Sequence, residues 1–196
     1  MSRPILILLA GPNGAGKSTF YDTFLGTSGI PFLNPDALTA FDPEMTGAQI
    51  RLTADRLRAV FFRRRASFIT ETVFSDTVGS KLRFLRRALH AGYDVRLVYI
   101  GLVSAELSER RVESRVAAAG HDAPRHKLPS RFERSLRNLD KAMGFVPKLT
   151  VYDNSRADHP YRLVAEISDG QVDKGPAWSD ADWFTRLPSL NRLRVR

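Results

Sequence analysis

Apolar and polar residues follow two rhythms along this chain. Residues 4–10 (PILILLA) form an uninterrupted apolar run, the pattern of a parallel strand buried on both faces. DVRLVYIGL at 94–102 is a second strand of this kind. Shorter strands are read at 31–34, 67–70, 149–152 and 162–167. Elsewhere the apolar spacing changes to three and four. Residues 47–65 set Ile50, Ala54, Leu57, Val60 and Phe61 on one helical face. Residues 77–91 do the same with Leu82, Leu85, Ala88 and Leu89, and Gly92 ends that helix. Lys17 to about Leu25 and about Ser130 to Met143 are further helices. Ser104 can cap another, with Glu106 in its first turn. Residues 119–129 break the periodicity, and beyond Asp169 the chain reads as irregular. The alternation predicts an α/β domain with a mostly parallel sheet and helices on both faces. The expected division is 1–170 as that domain and 171–196 as an extension that packs on it or contacts a partner.

Between the first strand and the first helix lies Gly11-Pro12-Asn13-Gly14-Ala15-Gly16-Lys17-Ser18, followed by Thr19. It fits G-x-x-x-x-G-K-[ST]. The glycines let backbone N–H groups of residues such as Asn13, Gly14, Ala15 and Gly16 converge on phosphates. Lys17 reaches the β- and γ-phosphates, and the Ser18 hydroxyl is a ligand for Mg2+. The helix that follows aims its positive end at the same anion. A nucleoside triphosphate site, with ATP and Mg2+, is therefore predicted.

Composition narrows the rest. The chain has 196 residues and no cysteine, which excludes a disulfide framework, a Cys-based zinc site and a thiol nucleophile. No apolar run reaches the roughly 18 residues of a membrane span, and Ile5 to Ala10 is too short for a signal-peptide core. The cytoplasm is the expected compartment. The net charge is +9, and 24 of the 30 basic residues are Arg. Arginine grips phosphate with a two-toothed fork, so nucleotide phosphates, nucleic acid and an acidic protein are all candidate partners.

The candidate strands SFITE and RLVYIG end in Glu71 and Gly101 rather than in the Asp expected of motor-type P-loop proteins, and no guanine-specificity or ABC signature is present. A small kinase remains, which needs a base, an acceptor loop and an Arg-bearing lid. Asp36, in Asn34-Pro35-Asp36, is a candidate base; a helix cap explains it equally well. Glu71, Thr72 and Ser75 follow a strand end, where α/β sheets bind ligands; a loop cap is the alternative. Arg110, Arg111, Arg115, Arg125, Arg131 and Arg134 flank Gly120-His121-Asp122 and are candidates for closing on a γ-phosphate. Any single one of them could equally be solvated surface.

These motifs, in this order, resemble the zeta-toxin family of P-loop kinases. The resemblance runs from Leu6 to about Ser155. It rests on G-P-N-G-A-G-K-S-T at 11–19, F-L-N-P-D at 32–36 and E-T-V-F-S at 71–75. R-V-x-x-R-V at 111–116, G-H-D-A-P at 120–124, R-F-E-R-S-L-x-N-L at 131–139 and Y-D-N-S at 152–155 complete it. It implies an ATP-dependent kinase whose acceptor is a sugar hydroxyl of UDP-N-acetylglucosamine, held inactive by a small helical antitoxin. It also implies that Asp36 is the general base and that Glu71 and Thr72 sit on the acceptor side. Arg115 and Arg131 become lid arginines, Arg134 a third, and Asn154 lies near the adenine. Two departures fall at Ala119 to Pro124, where the short family type reads G-G-H-x-V-P, and at Val73-Phe74, where it has a small residue and Leu.

Two rival readings share parts of this pattern. A P-loop kinase for another metabolite or antibiotic would use the same nucleotide site. An ATP-gated nucleic-acid-binding module is suggested by Arg63-Arg64-Arg65 and by Arg83, Arg86 and Arg87. Against it, no recognition motif appears and no aromatics interleave with these basic residues.

Overall fold

In the computed structural model the described residues are 3–37, 42, 44–119 and 125–195, without the side chains of 36, 51, 116–119 and 125. One sheet of eight strands organises them, in the order β2-β3-β1-β4-β5-β6-β7-β8. Strands β1 (Ile5–Ala10), β2 (Phe32–Leu33), β3 (Phe68–Thr72), β4 (Asp94–Gly101) and β5 (Lys148–Asp153) are parallel. β6 (Arg162–Ser168) and β7 (Gln171–Lys174) add antiparallel pairs, and β8 (Arg194–Val195) lies parallel to β7. The predicted sheet and helices are present.

Each sheet face carries its own apolar cluster. On β1, Leu6, Leu8 and Ala10 face one cluster, and Ile7 and Leu9 the other. This is why the first strand reads as unbroken apolar sequence. The chain leaves β1 toward β3 on one side and later crosses to β4 on the other. The crevice beyond the strand ends at this reversal is where open α/β sheets bind ligands.

Helix α1 (Lys17–Phe20) starts at the phosphate loop and runs into a π-helical turn, Tyr21–Leu25. α2 (Gly47–Arg64) opens on a Thr46/Gln49 capping box. Its inner face differs from the periodicity reading. Ala54 and Arg58 are buried, whereas Leu57 is 36% exposed. Arg58 displaces the predicted Leu57 because this turn of the helix borders a polar cleft rather than the core. α3 (Ser80–His90) begins three residues later than predicted, because Asp76 Oδ2 accepts from Ser80 N and Gly79 takes a left-handed conformation, φ 70°. α4 (Ala105–Ala119) starts where Ser104 Oγ accepts from Leu107 N. α5 (Leu128–Met143) is fixed to β4 by the hydrogen bond between Tyr99 Oη and Ser135 Oγ, 2.9 Å.

The segment beyond Asp169, read as irregular, continues the sheet. Asp169 and Gly170 both have positive φ, 48° and 80°, and form a two-residue hairpin turn that pairs Ser168 with Gln171. α6 (Asp182–Thr185) then places Trp183 and Phe184 in the core. A Cβ on Gly101 would lie 2.1 Å from the Trp183 ring, so only glycine admits the indole there.

Candidate active site

The phosphate loop is built on backbone that side chains would disrupt. Gly11, Gly14 and Gly16 all have positive φ. A Cβ on Gly11 would lie 2.1 Å from the Ile100 carbonyl oxygen, and one on Gly16 2.7 Å from Asn154 Nδ2. Lys17 is 9% exposed, and its ammonium donates to the Pro12 carbonyl at 3.0 Å. Ser18 Oγ donates to Glu71 Oε2 at 3.2 Å. Glu71 is the penultimate residue of β3, the neighbour of β1, so a carboxylate stands beside the Ser18 hydroxyl at this strand end.

Asn154, placed near the adenine by resemblance, lies buried beneath the loop. Its Nδ2 donates to the Ala15 carbonyl at 2.9 Å, and its Oδ1 accepts from Tyr161 N. Tyr161 Oη donates to the Gly16 carbonyl at 2.9 Å. Both residues support the loop from the strand side. Ser108 Oγ on α4 adds a bond to the Asn13 carbonyl, 2.6 Å. Tyr161 and Ser108 were missed because neither belongs to a motif and both act across more than ninety residues of sequence.

The arginines divide by position. Arg115 lines the cleft over Gly14, Lys17, Ser18 and Thr19, and so does Arg111. Arg131 is half-buried on α5 and lines neither this cleft nor the one beside it. Arg134 donates through Nε to the Ser75 carbonyl at 2.9 Å, so it holds the loop after β3. Arg110 is exposed. The Arg125 side chain and residues 120–124, including His121, lie outside the described residues. The same holds for the Asp36 side chain; its backbone belongs to the 3-10 turn Pro35–Ala37, just after β2.

The loop after β3 is under tension that α5 restrains. Phe74 is fully buried with φ 61°, a conformation unfavourable for a bulky residue. Its N–H donates to Thr72 Oγ1, and Asn138 Nδ2 donates to the carbonyls of Phe74 and Asp76, at 2.8 and 3.1 Å. Asn138 → Ala would leave two carbonyls without their donor. It is expected to cost about 1–3 kcal/mol by urea unfolding.

A second cleft, of about 280 Å³, adjoins the first, which is about 270 Å³. Pro35, Thr72 and residues of α2 and α3 line it, and Glu71 and Val73 line both. Two ligands could thus meet across Glu71. Among the described residues no cluster of three His, Cys, Asp or Glu could hold a metal. The Ser18 hydroxyl and Glu71 carboxylate are hard oxygen donors, the kind Mg2+ accepts alongside water and phosphate oxygens.

The Zeta toxin family matches residues 1–162. The chain belongs to the zeta-toxin family. No curated protein sequence matches this family member. Solved structures share its fold. A chain of the AvrRxo1-ORF1:AvrRxo1-ORF2 complex with ATP superposes with a TM-score of 0.72 at 16% identity, over 93% of this chain and 64% of that one. The sulphate-containing form of that complex gives 0.71 at 16% identity, over 94% and 63%. The PezAT toxin–antitoxin system of Streptococcus pneumoniae gives 0.63 at 20% identity, over 84% and 72%. This zeta-toxin family member therefore spans less than two-thirds of the AvrRxo1 complex chains it resembles. None of its described helices is long and apolar enough to cross a membrane.

Proposed function

We propose that this chain is an ATP-dependent kinase acting on a small-molecule hydroxyl. The observation that carries the reading is the pair of adjoining clefts, one over the phosphate loop and one beside Pro35, with Glu71 between them. ATP lies on residues 11–19, with its γ-phosphate toward Glu71. Asp36, whose backbone turn borders the second cleft, takes the acceptor hydroxyl proton. The acceptor oxygen then bonds to the γ-phosphorus while the bond to the β–γ bridging oxygen breaks, and ADP leaves. Lys17 and Arg115 offset the charge that develops on the transferred group. Ser18 and Glu71 would hold Mg2+, which supplies further charge neutralisation when bound.

UDP-N-acetylglucosamine is the first acceptor to test, on the strength of the family. A small helical antitoxin is the proposed partner, and the cytoplasm the proposed compartment; the PezAT match supports the partner. The test follows γ-phosphate transfer from ATP to UDP-sugars and to other small hydroxyl compounds, neutral and anionic. Product formed only with Lys17 intact supports the reading. ATP binding without transfer to any acceptor overturns it.

Glu71 admits a sharper check. If it serves the metal, Glu71 → Gln is expected to raise the Mg2+ concentration for half-maximal rate by about tenfold to a hundredfold, the scale seen when metal-site support is removed. An unchanged Mg2+ dependence with a raised acceptor KM would place Glu71 on the acceptor side alone.

A further inference from the structure

Arg58 takes the inward position of α2 that the helical pattern assigns to its neighbour Leu57. It is 9% exposed. One nitrogen, Nη1, donates to Asp55 Oδ1 at 2.7 Å, and the guanidinium lies 5.8 Å from the Phe84 ring centre. Asp55 is the carboxylate within ion-pair distance of it among the described residues, and that side chain is itself 69% exposed. A guanidinium carries five N–H donors. Arg58 lines the second cleft.

Lys81 lines the same cleft from the first turn of α3. That position is unfavourable for a cation, because the helix end already carries partial positive charge. Burial, and then the charge of Arg58, draw the ammonium below the usual lysine range; Asp55 and Asp76 oppose this. Lys81 has no carboxylate within ion-pair distance among the described residues. Two cations thus line one cleft beside a helix N-terminus, with the Glu71 carboxylate on the same lining.

We infer that Arg58 and Lys81 form an anion subsite of the acceptor cleft, so that the acceptor carries a carboxylate or phosphate beside its reacting hydroxyl. The inference rests on the kinase reading for the word acceptor, and on the cleft alone for the anion. The Asp55 contact fixes the Arg58 fork, which leaves it free to take a planar carboxylate or a phosphate edge. Ser80, also on the cleft wall, adds a hydroxyl at the same helix end. Thr72 and Glu71 share a smaller pocket of about 110 Å³ with Arg58, Ser80 and Lys81, and Glu71 also lines the cleft over the phosphate loop. An anion held at Arg58 and Lys81 would therefore orient the rest of the acceptor toward the γ-phosphate.

The test uses the full chain with Mg2+ and a non-hydrolysable ATP analogue filling the phosphate loop. Inorganic phosphate and acetate are titrated separately, followed by calorimetry and by amide chemical shifts of residues 80–82. At least one anion is expected to bind at one site, and its affinity is expected to fall about tenfold to a hundredfold in Lys81 → Met. Arg58 → Lys should retain part of the affinity and Arg58 → Met should not. Arg63 → Met, an exposed change on the same helix, should leave it intact. In the transfer assay, Lys81 → Met should raise KM for anionic acceptors by a similar factor, with kcat within about threefold and neutral acceptors unaffected. No anion bound beside the analogue, equal affinity in Lys81 → Met, or a preference for neutral acceptors would each overturn the inference. Failure of transfer with every acceptor would overturn the kinase reading instead, and the titration would still decide the subsite.

Discussion

Lys17 → Ala is expected to lower γ-phosphate transfer by about a hundredfold to a thousandfold, the loss that follows removal of one preorganised charge from a water-poor site. The ammonium is buried and already held by the Pro12 carbonyl. It therefore needs little reorganisation when charge builds on the transferred phosphoryl group. Single-turnover transfer measures the loss, and calorimetric titration with an ATP analogue separates binding from chemistry. The thermal midpoint should change little, since the ammonium makes a polar contact rather than filling core volume. Transfer that survives at more than about a tenth of the normal rate would remove Lys17 from the chemistry.

Asp36 → Asn is the second large effect, and it separates two explanations of one residue. Asn caps a helix or turn about as well as Asp, so a purely structural Asp36 would tolerate the exchange. A carboxamide cannot accept the acceptor proton. If Asp36 is the base, kcat should fall by about a hundredfold to ten-thousandfold, with ATP-analogue affinity unchanged. Full transfer by Asp36 → Asn alongside an inactive Lys17 → Ala would show that the proton goes elsewhere.

Much of the architecture was legible because burial on both sheet faces leaves a continuous apolar record. β1, the glycine-rich loop and β4 follow from residues 4–18 and 94–102 with little ambiguity. The polar supports of the site left no such record. Ser18 and Glu71 meet across 53 positions, and Asn154 reaches Ala15 across 139; no local spacing encodes those encounters. Asn138 stood inside a recognised motif, but its carbonyl partners belong to a loop whose shape the sequence does not state. On α2 the helical wheel placed Leu57 inward, since hydrophobicity cannot tell a core from a polar cleft. The strand after Asp169 was missed for a simpler reason. Asp-Gly between alternating residues is itself a hairpin signal, but the polar composition of the tail around it masks the alternation.

Gly101 and Trp183 bear on how such a chain can change over generations. The indole occupies the volume that any side chain at 101 would need. Gly101 also accepts the N–H of Asn154, which supports the phosphate loop. A larger residue at 101 is therefore tolerable only in a lineage that has first shortened 183, and the order of those two steps is fixed. Residue 183 lies past the stretch the family shares, 1–162. Through Gly101 the packing of that tail is physically tied to the support of the nucleotide site.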